Sequence, residues 1–249
     1  MSSAYRERAA VASLTPAIAC VWTQHVGMTA TATYEHRVVP DACVDVIWRD
    51  GRLELAGPDT EAVLASLTPE SSIVGIRFRP GHARELLGVP PSELTDTRVA
   101  LDDVWGRSAR VLADRLAGAP TVTDAERVLE TTMLERARRA PEADNVVEPL
   151  VAMLSTPTGS SVRDAARTLA FSERQLHRRC LAAFGYGPKV LHRILRFQRF
   201  LRAARATNAS FARLAAACGY SDEAHLAHEC LALGGTRPSD LVGRALPGA

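Results

Sequence analysis

The chain has 249 residues, of which 47% are hydrophobic and 23% are Asp, Glu, Lys or Arg. This balance is typical of a globular protein with a buried core, and it argues against a disordered chain. No apolar run approaches the roughly 20 residues that a membrane helix requires, and the N-terminus lacks a secretory signal, so we expect a cytoplasmic protein without a membrane partner. The net charge of +2 is unevenly divided: residues 146–249 contain 14 Lys and Arg against 7 Asp and Glu, whereas residues 1–145 contain 16 against 21. A basic half beside an acidic half is typical of a nucleic-acid-binding domain joined to a domain of another kind.

The first predicted elements are strands. Residues 44–48 and 53–56 are short apolar runs separated by Asp50-Gly51, a pair that favours the tight turn of a β-hairpin. Residues 73–78 predict another strand, and residues 83–87 and 101–105 predict short helical turns.

Beyond residue 107 the apolar residues recur with the 3.6-residue period of a helix. Residues 140–145 are polar, aperiodic and contain a proline, and they coincide with the change in charge, so we place a domain junction there or in the helix that follows. The predicted fold class is α+β. A mixed domain of β-sheet and helices covers residues 1–145, β-rich to about residue 80 and helical after about residue 107, and an all-α domain covers residues 146–249.

The all-α half repeats itself, and an internal repeat is strong evidence for architecture. The first copy covers residues 162–188 and the second covers residues 211–238. Phe171-Ser172 in the first copy corresponds to Tyr220-Ser221 in the second. Each copy predicts an Ala-rich helix, a turn whose aromatic residue fills the corner, and a second helix whose serine caps its first free N–H groups. This is the pattern of a helix-turn-helix unit, whose second helix enters the major groove of DNA.

A single long helix is predicted between the copies, over residues 189–205. This segment contains no Asp or Glu. We therefore interpret its arginines as a basic stripe that contacts phosphates, the alternative being a solvated face whose arginines pair with acids elsewhere. The stripe consists of Arg193, Arg196, Arg199, Arg202 and Arg205.

The tandem pattern as a whole, including residues 214–222 and the closing Gly235 and Pro238, resembles the DNA-binding domain of the AraC/XylS family of transcription regulators. The resemblance covers about residues 148–245. It implies seven helices in two subdomains joined by the long helix, each subdomain offering a recognition helix to the major groove of double-stranded DNA. In this family RNA polymerase and a second copy of the chain are further possible partners.

The resemblance places DNA contacts on the first recognition helix, where Arg174 and Gln175 are the strongest candidates because Arg and Gln can each form two hydrogen bonds to a base edge. Glu173 has the simpler explanation that a carboxylate in the first turn interacts well with the helix dipole. The predicted DNA-binding residues are Ser172, Glu173, Arg174, Gln175, His177, Arg178, Arg193, Arg196, Arg199, Ser221, His225 and His228.

The second copy departs from the family pattern. His228 stands where the family usually has Arg, and Cys230 and Gly234 stand where aromatic residues are common. Asp222 and Glu223 lead its second helix, so we expect this subdomain to contact DNA poorly or only through phosphates. His225, His228 and Cys230 have the types of metal ligands, but we expect them to be structural, with no metal and no cofactor.

Residues 40–106 resemble an N-terminal domain that accompanies this module in many actinobacterial regulators, through segments 40–48, 57–60 and 75–81. The resemblance implies effector binding or dimerisation. Asp45, Trp48, Arg77 and Arg79 are the candidate ligand-binding residues, because charged strand residues need partners and Trp offers a ring face. An internal Asp–Arg salt bridge explains the charges equally well.

The predicted function is a sequence-specific DNA-binding transcription regulator controlled by a small molecule in the N-terminal domain, with no catalytic residues. One alternative is a ligand-binding or scaffold protein with degenerate DNA binding. The other is a DNA-targeted alkyl-transfer enzyme, which needs an activated, zinc-held cysteine. The five cysteines form no Cys-x-x-Cys pair, and Cys43 is either a redox sensor or a small buried apolar residue.

Overall fold

The computed structural model describes residues 3–27, 34–156 and 161–243. Its N-terminal part contains a six-stranded sheet in the order β1-β2-β7-β4-β5-β8 and a two-stranded sheet of β3 and β6. All strand pairs are antiparallel. The strands are β1 (Ser3–Arg8), β2 (Ile18–Val26), β3 (Tyr34–Val38), β4 (Asp45–Arg49), β5 (Arg52–Ala56), β6 (Val63–Leu67), β7 (Ser72–Phe78) and β8 (Arg98–Ala100).

The turn between β4 and β5 is formed by Asp50 and Gly51, whose φ angles are 50° and 76°. Both values lie in the left-handed region that a two-residue hairpin turn requires. Arg49 pairs with Arg52 across this turn. The predicted hairpin is confirmed, and β7 confirms the strand predicted at residues 73–78.

Successive side chains of a strand point to opposite faces of the large sheet. On one face Val46, Ile76 and Phe78 are buried against the helices that follow the sheet. On the other face Asp45 and Arg77 point toward the two-stranded sheet and line a cavity. The alternation of residues along β4 and β7 therefore separates an apolar core from a polar, ligand-sized space.

Four helices and one 3-10 helix complete the N-terminal part. Leu112, Leu129 and Met133 on the two longer helices are fully buried against the sheet. The short helices at residues 83–87 and 101–105 lie where the sequence predicts them. These elements are α1 (Ala83–Leu87), the 3-10 helix (Pro91–Glu93), α2 (Leu101–Trp105), α3 (Arg107–Ala117) and α4 (Val122–Ala137).

The C-terminal part is all helical and contains seven helices among the described residues. Its long central helix buries Leu191, Ile194, Phe197 and Phe200 completely, and both helix-turn-helix units pack against it. These helices are α5 (Val147–Leu154), α6 (Val162–Thr168), α7 (Glu173–Phe184), α8 (Pro188–Ala206), α9 (Phe211–Cys218), α10 (Glu223–Gly234) and α11 (Pro238–Gly243).

The α+β fold is confirmed, with an antiparallel sheet followed by a helical region. The predicted junction at residues 140–145 lies between α4 and α5, and the division at residue 145 stays a prediction. One short segment of the N-terminal part, around Ala42, is buried in the core of the helical part. None of the helices in the described ranges is long and apolar enough to cross a membrane.

Candidate DNA interface and effector cavity

The first recognition helix, α7, presents a basic exposed face. Arg174, His177 and Arg178 are all exposed. Because residues three and four positions apart lie on the same side of a helix, the three side chains form one stripe from the first turn onward. Buried Leu176 and Cys180 fix the opposite face of α7 to the domain core.

The start of α7 is fixed by a capping box between Ser172 and Gln175. The Ser172 hydroxyl accepts a hydrogen bond from Gln175 N at 3.2 Å, and Gln175 Oε1 accepts one from Ser172 N at 2.9 Å. This reciprocal pair satisfies two N–H groups that the first turn leaves free. The carboxamide oxygen of Gln175 is thus engaged within the protein, and Ser172 is a capping residue. Glu173 is exposed and lies 3.4 Å from Arg163 Nε.

The second recognition helix, α10, has a different surface. Its N-cap is Asp222, whose carboxylate accepts a hydrogen bond from His225 N at 2.7 Å. The His225 ring packs edge-on against buried Tyr220, with ring centroids 5.3 Å apart. Glu223 and His228 are exposed, and the N-terminal half of α10 contains no arginine. The leading end of α10 therefore carries negative charge where a phosphate backbone would approach.

Arg193 and Arg196 on α8 form ion pairs with Glu229 on α10. The closest nitrogen–oxygen distances are 2.9 Å for Arg193 and 3.3 Å for Arg196. Burial acts to raise the pKa of Glu229, but the hydrogen bond and the charges of the two arginines outweigh it and lower that pKa. The Arg196 guanidinium also lies 4.5 Å above the Tyr220 ring.

Arg199 donates hydrogen bonds to backbone carbonyl oxygens at the C-terminal ends of two helices. Its guanidinium donates to Leu154 O at 3.1 Å, to Ser155 O at 3.2 Å and to Cys218 O at 3.1 Å. These carbonyls belong to the last turns of α5 and α9, where no intrahelical donor is available. Arg199 thus ties a helix of each subdomain to α8.

A cavity of about 350 Å³, here called the intersheet cavity, lies between the large sheet and the β3–β6 sheet. Apolar side chains from both sheets form much of its wall, and Gln198 and Arg205 of α8 also line it. The apolar wall includes Ile47, Val63, Leu67 and Ile73.

Most charges in the intersheet cavity are paired. Arg77 Nε lies 3.2 Å from Asp45 Oδ1, which also accepts a hydrogen bond from Trp22 Nε1 at 2.7 Å. Burial raises the pKa of Asp45, while the charge of Arg77 and the Trp22 hydrogen bond act in the opposite direction. Arg98 forms two hydrogen bonds of 2.8 Å to the carboxylate of Asp59.

Two cations of the cavity wall have no acidic partner among the described residues, Arg37 and Arg205. Arg37 donates to Gly234 O at 3.0 Å, but its Nε is buried without a hydrogen-bond partner. Arg205 is an exposed residue at the rim of the cavity, and partial burial there lowers the pKa of its guanidinium. The cavity thus combines apolar walls with two cationic groups free to meet an anion.

Comparison with known proteins supplies the family of the helical part. Residues 165–244 match the model of a helix-turn-helix domain. The C-terminal domain is an AraC-type helix-turn-helix domain. Residues 6–100 match a domain of unknown function (DUF6597). No curated protein sequence matches the chain.

Solved structures similar to the chain include ToxT from Vibrio cholerae O395, with a TM-score of 0.50 and 12% identity over 92% of this chain and 99% of that chain. A second crystal form of Vibrio cholerae ToxT has a TM-score of 0.47 and 11% identity over 98% of both chains. Wild-type ToxT bound to an unsaturated fatty acid has a TM-score of 0.44 and 13% identity over 89% of this chain and 93% of that chain. At 12% identity, the likeness to the O395 structure supports the fold alone.

The AraC-type domain confirms the predicted pair of helix-turn-helix units, with two corrections. The cap of α10 is Asp222 and not Ser221, because the second copy has one residue more at this turn. Ser221 instead forms hydrogen bonds with His225, its hydroxyl lying 3.1 Å from Nδ1. Tyr220 fills its corner and is 4% exposed, whereas Phe171 is only half-buried, beneath the Arg179 guanidinium.

Three arginines of the predicted phosphate stripe have partners within the protein. Residues 189–205 contain no acid, but α10 supplies Glu229 to Arg193 and Arg196, and the carbonyl ends of α5 and α9 accept hydrogen bonds from Arg199. The alternative of arginines paired with acids elsewhere therefore describes Arg193 and Arg196. Phosphate contact by the stripe stays a prediction.

Two of the four predicted ligand-binding residues lie away from the intersheet cavity. Trp48 packs on the helix-covered face of the large sheet, and Arg79 follows the end of β7, where its Nε donates to Thr15 O at 2.7 Å. Asp45 and Arg77 do line the cavity, as the salt bridge that the sequence left open as an alternative. Sequence reasoning missed Trp22, whose ring lies across Gly75 so closely that an added Cβ would be 2.2 Å from it.

The cysteines offer little nucleophilic character. Burial raises the pKa of Cys20 to about 12 and that of cavity-lining Cys43 well above its ordinary value. Since the thiolate is the reactive form, a raised pKa lowers the thiolate fraction of both cysteines at neutral pH. Within the described ranges, no group of three or more His, Cys, Asp or Glu side chains could hold a metal ion.

Proposed function

We propose that this protein is a cytoplasmic transcription regulator that reads double-stranded DNA chiefly with α7, and that a small molecule in the intersheet cavity controls it. The observation that carries the DNA-binding proposal is the difference between the two recognition helices. Arg174 and Arg178 form, together with His177, an exposed polar stripe on α7 that carries two guanidinium charges. The positions of α10 that correspond to Arg174 and His177 are Ala224 and Ala227, behind an acidic first turn.

On this proposal, Arg174 and Arg178 contact base edges or adjacent phosphates, and the α8 arginines act indirectly by fixing both units to one rigid helix. Gln175 keeps its Nε2 available to a base while its oxygen caps the helix. His225 and His228 have at most a phosphate role. A second copy of the chain and RNA polymerase are further partners that the AraC resemblance predicts.

A mobility-shift assay on the DNA upstream of the protein's own gene, with competitor DNA at two salt concentrations, tests this assignment. Each good Arg–base pair discriminates by about 1–3 kcal/mol, so we expect Arg174→Ala to weaken specific binding roughly 5- to 150-fold. Arg110→Ala, an exposed arginine on α3, is the matched control. Sequence-blind binding that is equally strong in both variants would instead support the alternative of degenerate DNA binding.

For the effector, the cavity favours an amphipathic anion. Its apolar walls would bury a hydrocarbon or aromatic body, and Arg37 and Arg205 would pair with the charged group. Because the volume of about 350 Å³ suits a small molecule, a peptide or nucleotide chain is excluded.

The aromatic anion 1-anilinonaphthalene-8-sulfonate is a suitable probe, since its fluorescence rises in apolar surroundings. We expect Arg205→Ala to weaken probe binding about tenfold, equivalent to about 1.4 kcal/mol. Arg202→Ala changes an exposed arginine of the same helix outside the cavity, and it should leave the affinity unchanged. Equal affinities in the two variants would contradict an anion site at Arg205.

A further inference from the structure

Residues 39–43, here called the strap, connect β3 of the small sheet to β4 of the large sheet and so close one end of the intersheet cavity. Asp41 and Cys43 line the cavity. Asp41 Oδ2 lies 3.6 Å from Arg77 Nη1, and Asp41 Oδ1 accepts a hydrogen bond from Cys43 N at 2.9 Å. The strap therefore borders the part of the cavity that contains Arg77.

The other side of the strap is buried in the AraC-type domain. Ala42 is 2% exposed and belongs to the core of that domain. Pro40 O accepts a hydrogen bond of 2.6 Å from Gln198 Nε2, and Gln198 is itself 8% exposed on α8. The strap thus touches the cavity and the central helix of the DNA-binding domain within five residues.

The backbone of the strap is held in a conformation that its sequence disfavours. Ala42 has a φ of 66°, in the left-handed region that residues with a Cβ rarely adopt. Such a conformation persists only where surrounding contacts determine it, and such residues are frequent in switch regions. A change in the contacts of Asp41 or Pro40 would allow Ala42 to return to an extended conformation.

The buried hydroxyl of Tyr186, in the helical part, lies close to the strap. Tyr186 directly follows Gly185, the C-cap of α7, and it is 5% exposed. Its hydroxyl has no hydrogen-bond partner among the described residues. Burial raises the pKa of Tyr186, and the next largest contributions come from Asp41 and Cys43 of the strap. Tyr186 thus places a buried hydroxyl of the helical part beside Asp41 and Cys43 of the strap.

We propose that the strap transmits occupancy of the intersheet cavity to the DNA-binding domain, through Asp41 on the cavity side and through Pro40 and Ala42 on the side of α8. A ligand whose charged group pairs with Arg37 and Arg205 would fill the space beside Asp41 and alter its contact with Arg77. The strap would then shift, and the Gln198 contact with α8 would change. This role rests on the proposed function, because it requires both an effector and a DNA site.

Coupling between two sites is reciprocal, so DNA binding must alter the strap even when no effector is known. The experiment is amide hydrogen exchange of the full chain with and without the DNA that it binds specifically. In the wild type we expect DNA to change the amide exchange rates of residues 41–46 by at least about fivefold. In Gln198→Met, which removes the donor to Pro40 but keeps an unbranched side chain, DNA still binds and this response disappears.

Ala42→Gly provides a second variant that keeps the Gln198 contact and removes the left-handed strain. We expect faster exchange of the strap in its free form and a weaker response to DNA. Specific DNA binding with an unchanged strap in the wild type, or a full response in Gln198→Met, would overturn the role of the strap while leaving the proposed function intact. Absence of specific DNA binding by the wild type would overturn both.

Discussion

Replacing Glu229 by Ala tests whether the α8 arginines stabilise the domain or face the DNA. The Glu229 side chain is 7% exposed and pairs with Arg193 and Arg196, whose side chains are 42% and 16% exposed. The substitution leaves two guanidinium groups without a counter-ion at the contact between α8 and α10. No part of the predicted DNA-reading face on α7 is changed.

The expected loss is a few kcal/mol. Removing one partner of a buried ion pair costs about 3–5 kcal/mol. Since Arg193 is more than one third exposed, solvent screens part of its charge, and we expect a loss of about 2–3 kcal/mol. For a chain of this size each kcal/mol corresponds to about 2–4 °C, so Tm should fall by roughly 4–12 °C.

The same pair predicts a pH dependence. The pKa of Glu229 is lowered in the folded protein, and such a group stabilises the fold above its unfolded pKa and loses that contribution as the pH falls through the folded value. The stability difference between wild type and Glu229→Ala should therefore be full at neutral pH and shrink below about pH 4.

Thermal unfolding followed by circular dichroism at pH 7 measures this difference. Glu223→Ala, an exposed acid on the same helix, is the control and should change Tm little. The structural reading of the arginines fails if Glu229→Ala unfolds at the wild-type temperature. A structural role for Arg193 is also contradicted if Arg193→Ala reduces the slope of log affinity against log salt concentration, for non-specific DNA, by the amount expected for about one phosphate contact.

Three further substitutions follow from the helical domain, and all are measured by urea unfolding. Ala170→Gly relieves a left-handed φ of 58° at the turn where the second unit has Gly219, and it should stabilise by about 1 kcal/mol; a loss of stability would contradict the strain. Tyr186→Phe removes a buried hydroxyl without a partner in the described part of the chain and should be neutral or stabilising by about 1 kcal/mol, whereas a clear destabilisation would reveal a partner. Ser172→Ala removes the cap of α7 and should cost about 1 kcal/mol, with no cost expected if the capping box does not form.

The tandem units were predictable because their information is local. Each unit has its apolar period, its turn and its cap within about 25 residues. The misplaced cap was also avoidable, because Leu176 lies four residues after Ser172 and Leu226 lies four residues after Asp222. Aligning the buried leucines instead of the serines identifies Asp222 as the cap.

Trp48 does not line the intersheet cavity with Asp45, for a local reason. Asp45 and Trp48 are three positions apart in one strand, so they point to opposite faces of the sheet. Only one of them can line a given cavity. Because side chains alternate between the two faces along residues 44–48, a cavity that Asp45 lines cannot also be lined by Trp48.

Other features required the tertiary structure. Glu229 is 33 residues from Arg196, and nothing in residues 189–205 indicates where a counter-ion comes from. One side of the cavity is formed by β3 and β6, two strands that the sequence pattern did not predict. The hydrogen bond between the strap and α8 joins Pro40 to Gln198, which is 158 positions away. Such long-range pairings depend on the packing of whole elements and not on local pattern.

The measurement that tests the central claim most directly is the base preference of the protein, determined by selecting bound sequences from a randomised DNA library. If α7 alone reads bases, each chain should prefer a defined sequence over a single major-groove segment. Arg174→Ala should lose the base preference at one position of that segment, and Glu223→Ala should keep the whole preference. The account would be contradicted if each chain preferred two segments separated by about one helical turn of DNA, or roughly 10 base pairs, and if substitutions in α10 abolished the preference for the second segment.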